Sequence, residues 1–343
     1  MPRKKQVAKK QVVKNQVDYK PLISDALEIM ASQAKKENNV FKARAYNKVL
    51  SQLKIVTSNI HTIEDFDALQ LEGIGKGIKD KVVEIISTGE LQAANKIKDN
   101  PETALFDTLI KIYGVGPVKA KELIIMKEVS IKSIDDLHKA LVSNPDLLNA
   151  KQKIGLKYIE DIQLRIPRTE VRIHEDIIGS EFTKTYSEFI TTVVGSYRRG
   201  LETSGDIDVL VTVDPHVQYN ETLVAKYFRN AIDAMVQSGY ITDILALGSK
   251  KCMAFVKLDS SKPARRLDIL FTPPNEYPYA LLYFTGSDKF NIKFRRITLT
   301  QGYSLNEHGV KQIYTDAKHL TSIETEKDIF DFFGITYVEP INR

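Results

Sequence analysis

Between residues 206 and 213 the chain carries a segment that can fold in few ways. Asp206-Ile207-Asp208-Val209-Leu210-Val211-Thr212-Val213 alternates strictly. Side chains on a strand alternate faces, so Ile207, Val209, Val211 and Val213 point one way. Asp206 and Asp208 share the other face, about 7 Å apart along the strand at ~3.3 Å per residue. Two carboxylates that close repel each other unless a cation sits between them. Hard cations such as Mg²⁺ prefer such oxygens and also take phosphate oxygens as ligands. Upstream, the β-branched run Thr191-Thr192-Val193-Val194 leads into Gly195-Ser196-Tyr197-Arg198-Arg199-Gly200. This reads as strand, glycine turn, basic turn, second glycine turn, strand. Gly195 and Ser196 offer backbone N–H groups to a phosphate, with Arg198 or Arg199 as a charge-assisted partner. A bare Asp-x-Asp most often marks a surface strand with two solvated aspartates; the full string Gly-Ser-Tyr-Arg-Arg-Gly…Ser-Gly-Asp-Ile-Asp is far more specific.

The rest of the chain limits what such a strand serves. A chain of 343 residues exceeds one ordinary core, so two or more domains are expected. No run of ~18 apolar residues is present, which argues against a membrane-spanning helix, and the N-terminus lacks the apolar core of a signal peptide. The single cysteine, Cys252, excludes an internal disulfide and fits a reducing, intracellular setting. Residues 1–165 hold 28 Lys and Arg against 21 Asp and Glu, a net +7, while the remainder holds 21 against 23, a net −2. A basic front half suits a polyanion.

Taken in order, residues 1–18 form a basic tail with Arg3, Lys4, Lys5, Lys9, Lys10 and Lys14; it reads as disordered, and as a nuclear localisation signal, a DNA anchor or a merely solvated tail. Residues 19–98 read as helical, with Leu22, Ala26, Ile29 and Met30, then Val49, Leu53 and Ile55, at helix spacing. Leu71-Glu72-Gly73-Ile74-Gly75-Lys76-Gly77-Ile78 precedes an amphipathic helix and resembles the turn of a helix-hairpin-helix. Its glycines let backbone amides approach a DNA phosphate. One such turn is weak, but Ile112-Tyr113-Gly114-Val115-Gly116-Pro117 repeats it about forty residues on, within helical residues 99–166. Paired hairpins position a duplex without reading its sequence. Pro167 marks a boundary. Residues 167–273 then mix helices (171–189 and 225–237) with strands, among them 254–258 and Arg265-Arg266-Leu267-Asp268-Ile269-Leu270-Phe271, where Arg266 and Asp268 share a face. Residues 274–343 contain Leu282-Tyr283-Phe284-Thr285-Gly286-Ser287-Asp288-Lys289-Phe290-Asn291.

These motifs together resemble family X DNA polymerases, in the pattern of the beta-type members, over residues 20–343. The resemblance implies an α+β multidomain fold. It would comprise a helical lyase-like domain with one hairpin (19–98), a second hairpin subdomain (99–166), a nucleotidyltransferase palm with a mixed or antiparallel sheet (167–273) and a small α+β nucleotide-selection subdomain (274–343). No segment resembles the BRCT domain of larger members, and little is left over for a further domain. The implied activity is template-directed filling of short gaps in DNA, of the base excision repair type, by two-metal transfer from a dNTP to a primer 3′-hydroxyl. Asp206, Asp208 and Asp268 would hold two Mg²⁺, with Mn²⁺ as a substitute. Arg165, Ser196, Arg199, Ser204 and Gly205 fall at triphosphate-binding positions. Tyr283 and Phe284 would flank the sugar, Gly286 would allow close approach, Asp288 would lie over the base and Asn291 would reach the minor-groove edge. Arg295 would probe the templating pair and Arg266 would contact DNA. Asn306 and Glu307 fit the pattern, with His308 where an aromatic hydroxyl is usual.

The front domain implies a second activity, excision of a 5′-deoxyribose phosphate through a Schiff base on Lys81, which requires a lowered lysine pKa. Asp80 stands where the family has a glutamate. Lys42 and Tyr46 match a 5′-phosphate pocket and Phe41 a stacking ring. Gly73, Gly75, Gly114 and Gly116 would grip phosphates, and the carbonyls of Ile110, Ile112 and Val115 would hold Na⁺ or K⁺. The chain departs from the pattern at Leu69, Gly77 and Ala93, where lysines are usual, and at Leu270, where an arginine is; Lys76 and Lys79 offer compensation in the pocket. The implied partners are gapped or nicked duplex DNA, dNTPs and other repair proteins such as a ligase, for a monomer without a membrane role. The location would be the nucleus in a eukaryote, or a virion or viral factory. Rival readings are a template-independent or RNA-tailing nucleotidyltransferase, a gap-filling polymerase without lyase activity, and an idle DNA-binding scaffold.

Overall fold

The structure, a computed structural model, describes residues 17–37, 39–126, 130–313 and 323–343. The basic tail lies outside them except for Val17 and Asp18. The chain divides into two compact units, residues 1–111 with 115–147, and residues 112–114 with 148–343. The second unit therefore takes in residues 148–166, which the sequence groups with the helices before Pro167.

The first unit is helical because its apolar residues recur at helical spacing between effective caps. Its helices are α1 (Lys20–Lys36), α2 (Val40–Leu53), α3 (Ile63–Ala68), α4 (Lys76–Thr88), α5 (Gln92–Lys98), α6 (Pro101–Leu109), α7 (Pro117–Ile125) and α8 (Ile134–Ser143). Asn39 accepts from the Lys42 amide to start α2, and Thr62 and Asp65 close a capping box on α3. The buried stripe of α1 runs through Ile23, Ala26, Leu27, Ala31 and Ala34. That is one residue out of phase with the expected stripe: Leu22 is exposed, and Ile29 and Met30 only flank the core. Small alanines let α1 lie close to α2, and proximity decides which face is buried. Ile55 lies past the end of α2 and is exposed.

The second unit contains α9 (Ala150–Lys157), β1 (Ile166–Pro167), α10 (Arg168–Thr185), β2 (Phe189–Val193), α11 (Gly195–Arg198), β3 (Thr203–Ser204), β4 (Ile207–Val213), α12 (Glu221–Gln237), β5 (Ile241–Leu247), β6 (Lys251–Val256), β7 (Arg265–Phe271), α13 (Tyr277–Thr285), α14 (Asp288–Thr300), β8 (Tyr303–Asn306), β9 (Gly309–Gln312) and α15 (Glu326–Phe332). Five strands form one mixed sheet in the order β2-β4-β7-β6-β5, parallel only between β4 and β7. Ile207, Val209, Val211 and Val213 enter the main core with residues of α10 and α12, such as Val171, Phe182, Phe228 and Met235. On the opposite face Leu210 and Leu270 pack with Val194 and Ala280 beneath α13. Leu270, where the family has an arginine, is half-buried in this cluster and also borders Asp208 and Asp268. α13, α14, α15 and the β8–β9 hairpin share a separate core around Phe294, Ile329 and Phe330.

Candidate active site

Parallel pairing of β4 with β7 sets the chemistry. Asp208 lies directly opposite Asp268, and Ile207 opposite Leu267, so the two aspartates stand side by side on the face away from the main core. The same register extended by two residues sets Asp206 against Arg266, and their side chains form an ion pair. Arg266 Nε also lies 3.9 Å from Asp268 Oδ2. Burial first, and the Asp268 charge second, push Asp208 up to about 6, against the lowering effect of Arg199. Burial likewise raises Asp268, with Arg266 and Lys251 opposing. Asp268 Oδ1 and Arg266 Nε are buried without hydrogen-bond partners.

Among the described residues no three carboxylate, imidazole or thiol groups converge closely enough to hold a metal ion. Asp206 is instead ion-paired with Arg266. The donor set nevertheless fits a divalent cation. Asp208 and Asp268 are hard oxygen donors side by side, and one buried oxygen, Asp268 Oδ1, is orphaned.

Gly195 brings the turn of residues 195–200 against the aspartates. Its φ is +59°, and a Cβ there would meet Asp208 Oδ2 at 2.6 Å. The expected glycine and basic turns are replaced by one turn of helix, α11, because Arg198 and Arg199 bond back to Val194 and Gly195. Winding the turn separates the two arginines. Arg198 pairs with buried Glu326 and with Thr285 Oγ1, whereas Arg199 donates to the Thr285 carbonyl at 2.5 Å from the wall of an open cleft of about 830 Å³. The cleft is also lined by Arg165, Gly195, Ser196, Gly205, Asp206, Asp208, Tyr283, Phe284, Gly286, Asp288 and Asn291. Arg165 is braced by Thr203, through Oγ1 at 3.1 Å and the carbonyl at 2.6 Å. Ser204 does not face the cleft: it is 1% exposed and accepts from Ser196 Oγ at 2.9 Å, holding that hydroxyl in place. Asp268 opens instead on a small adjoining cavity with Asp208, Lys251, Leu270 and Phe284.

Tyr283 and Phe284 meet edge to face at 5.0 Å. The Asn291 amide donates to the Tyr283 carbonyl at 2.7 Å, and Arg295 lies over the Tyr283 ring and 3.7 Å from Glu307. Asn306 turns the β8–β9 hairpin by accepting from the amides of His308 and Gly309, and His308 pairs with Glu276. The sequence reading missed Lys289, Leu201, Ile341 and Arg343, which also line the cleft. Lys289 was legible inside the quoted motif; Ile341 and Arg343 arrive from the far end of the chain with no local signal.

In the first unit, Gly73 has φ +85° and Gly75 caps α4, and the space beside Gly75 and Gly77 is open. Lys81 Nζ donates to the Gly77 carbonyl at 3.0 Å and Lys79 pairs with Asp67. Lys42 and Phe41 are exposed on α2, but Tyr46 sits on the buried stripe with Ala43, Val49 and Leu50, only 7% exposed. In the second hairpin Gly114 has φ +82° and its carbonyl accepts from Gln152 Nε2, while Gly116 caps α7. Ile110 and Val115 belong to the first unit and Ile112 to the second.

The chain matches four family descriptions in succession: a helix-hairpin-helix domain over residues 18–91, the fingers domain of DNA polymerase lambda over 107–163, the DNA polymerase beta palm over 165–274 and the DNA polymerase beta thumb over 280–343. It is 30% identical to the rat protein named DNA polymerase lambda over 95% of this chain, and 29% identical to that of Arabidopsis thaliana over 82%. It is 26% identical to the DNA nucleotidylexotransferase of Xenopus laevis over 95%. The chain spans 56%, 54% and 68% of those relatives, respectively. A mixed-sheet palm, a thumb, a fingers domain and helix-hairpin-helix turns, in one α+β chain, are the parts of the nucleotidyltransferase fold that those descriptions name. This chain belongs to the family X DNA polymerases.

Proposed function

We propose that this protein is a template-directed, gap-filling DNA polymerase of base excision repair that adds a nucleotide from a dNTP to a primer 3′-hydroxyl. The observation that carries the reading is the side-by-side placement of Asp208 and Asp268 on paired strands, next to a cleft lined by Arg165, Ser196 and Arg199. Asp206, Asp208 and Asp268 would hold two Mg²⁺, or Mn²⁺ in its place. Bound there, the ions would acidify the 3′-hydroxyl and neutralise the α-phosphate. The protein supplies the rest. Ser196, Arg199, Arg165 and the amides around Gly205 orient the triphosphate so that pyrophosphate leaves in line with attack. Tyr283 and Phe284 flank the sugar, Gly286 leaves room for it, and Asp288 and Asn291 meet the base. Arg295 tests the templating pair.

Primer extension on gapped and on single-stranded DNA tests this. Asp268→Ala abolishes addition yet leaves gapped-DNA binding within a few fold, because Asp268 has no cationic role toward phosphate. Near-normal extension by the variant overturns the assignment. A second reading, template-independent addition at 3′ ends, is favoured by the resemblance to a protein named DNA nucleotidylexotransferase; single-stranded DNA extended as fast as gapped DNA would establish it instead.

The first unit, in the same proposal, is a 5′-deoxyribose phosphate lyase. Lys81 Nζ attacks the sugar aldehyde with loss of water, the imine permits β-elimination of the 5′-phosphate strand, and hydrolysis frees the amine. Lys42 and Phe41, exposed on α2, receive the 5′ end. Borohydride traps a covalent adduct with such an end, and Lys81→Ala removes most of it while leaving polymerisation intact. An undiminished adduct means that another lysine is the nucleophile, and no adduct from the wild-type protein reduces the unit to a DNA clamp.

A further inference from the structure

The strand that carries Asp268 begins with a charge on its apolar side. Leu267, Ile269 and Phe271 of β7 face the main core, and Arg265 shares their face, only 5% exposed. A guanidinium there is costly unless paired. Glu170 of α10 meets it as a fork, with Arg265 Nε donating to Oε1 at 2.6 Å and Nη2 to Oε2 at 3.0 Å. The third nitrogen, Nη1, donates to the Leu164 carbonyl at 3.1 Å. One residue earlier, the Ala264 amide donates to Asp161 Oδ2 at 2.8 Å. The start of β7 thus holds residues 161–164 at two points, and Arg165 of the large cleft follows directly. On its other side Ile166 is buried in the main core, and β1 pairs with β3 over two residues. Those contacts fix the chain after Arg165; the Asp161 and Arg265 contacts fix it before. A buried ion pair is weak evidence for stability, since apolar residues of the same size often serve as well. This one ties a cleft arginine to the strand of Asp268.

We propose that the Arg265–Glu170 fork, with Asp161, is a positioning latch for nucleotide binding: it fixes Arg165 relative to Asp268, so that the arginine meets the triphosphate in register with the carboxylates. The inference rests on the assignment of Arg165 to the triphosphate. Neither Arg265 nor Glu170 lines the cleft among the described residues, so both act through Arg165. Glu170 offsets the charge of Arg265, which leaves the pair little field to exert on a phosphate. Its effect is geometric, and a misplaced binding group is costly even when the displacement is small.

Single-turnover addition to gapped DNA across a dNTP series separates apparent dNTP affinity from the maximal rate, and titration of labelled gapped DNA gives DNA affinity. Arg165→Ala weakens dNTP binding about tenfold or more. Asp161→Ala weakens it roughly threefold, and Arg265→Lys, which keeps the charge but loses the fork, about tenfold. DNA affinity stays within about twofold in all three, because none of these residues is placed on the duplex. A lone buried charge can unfold a variant, so Glu170→Leu combined with Arg265→Met supplies the uncharged comparison. That paired variant folds and loses as much dNTP affinity as Arg265→Lys; should it fail to fold, Asp161→Ala decides by the same criterion. The decisive measurement is made in the Arg165→Ala protein. A latch that acts through Arg165 has nothing left to position there, so Asp161→Ala and Arg265→Lys add less than about twofold. If they weaken dNTP binding as much in that background as in the wild type, or if the folded paired variant binds dNTP normally, the latch is overturned while the role of Arg165 stands. If Arg165→Ala itself leaves dNTP affinity unchanged, the assignment of Arg165 falls, and the latch with it.

Discussion

Gly195 is the residue at which sequence, backbone and chemistry meet most tightly. Its φ of +59° is disfavoured for any side chain, and a Cβ would sit 2.6 Å from the carboxylate of Asp208. The collision is with the carboxylate itself, which has to turn aside to relieve it. Gly195→Ala is therefore expected to cost ~1–3 kcal/mol of stability and to slow single-turnover nucleotide addition by roughly a hundredfold through displacement of Asp208. Denaturant unfolding and rapid-quench kinetics measure the two effects. An alanine variant with wild-type single-turnover rates would mean that the approach of the turn to Asp208 is irrelevant to chemistry. The glycine was legible in the sequence as a turn residue; its contact with Asp208 was not, because that depends on how β2 and β4 pair.

At the scale of elements, periodicity gave the strands that matter and missed those held only by their neighbours. The 206–213 alternation and the shared face of Arg266 and Asp268 appear as read, since both faces of those strands have distinct partners. β5 carried no such signal: Ile241-Thr242-Asp243-Ile244-Leu245-Ala246-Leu247 pairs with β6 through two irregularities that shift its register, which erases a clean period of two. The phase of α1 was off by one residue because packing against α2, not hydrophobicity alone, selects the buried face. α10 carries a further feature no pattern announced. His174 is fully buried, with Nδ1 2.6 Å from the Tyr240 hydroxyl, and burial holds its pKa down to about 4. The unfolded chain, with an ordinary histidine near 6.5, binds a proton that the folded chain refuses. Stability is therefore lost as pH falls from 6.5 toward 4, by about 2 kcal/mol between pH 7 and pH 5. In His174→Gln the pH 7 to pH 5 difference in unfolding free energy shrinks by that amount, whatever the variant costs at both pH values. An unchanged difference in chemical denaturation would falsify the buried neutral imidazole as its source.

Across the whole molecule, charge divides as the proposed functions do. Residues 1–165 carry a net +7 and hold both hairpins, whereas the remainder, with the aspartates, carries −2. Hairpin turns bind phosphates through backbone amides and do not read bases, so two of them favour a substrate with duplex on either side of the reacting end. Lys42 and Phe41, exposed and near the first hairpin in sequence, would add a place for a 5′ terminus under the proposed function. The expected substrate is accordingly a short gap with a 5′-phosphate, filled at least several fold more efficiently than an open primer-template. Each phosphate contact releases counterions, and six to ten contacts weaken binding by roughly 10³–10⁵ between 50 and 200 mM salt. The preference for gaps should narrow over the same range, because the downstream grip is made on the gapped substrate alone, whereas the cleft serves both substrates. Steady-state extension on the two substrates across a salt series decides the matter. Removing the 5′-phosphate should mimic high salt for the gapped substrate alone. Equal efficiency on gapped and open DNA at low salt would show that the first hairpin contributes nothing to substrate choice, and that the second unit works by itself.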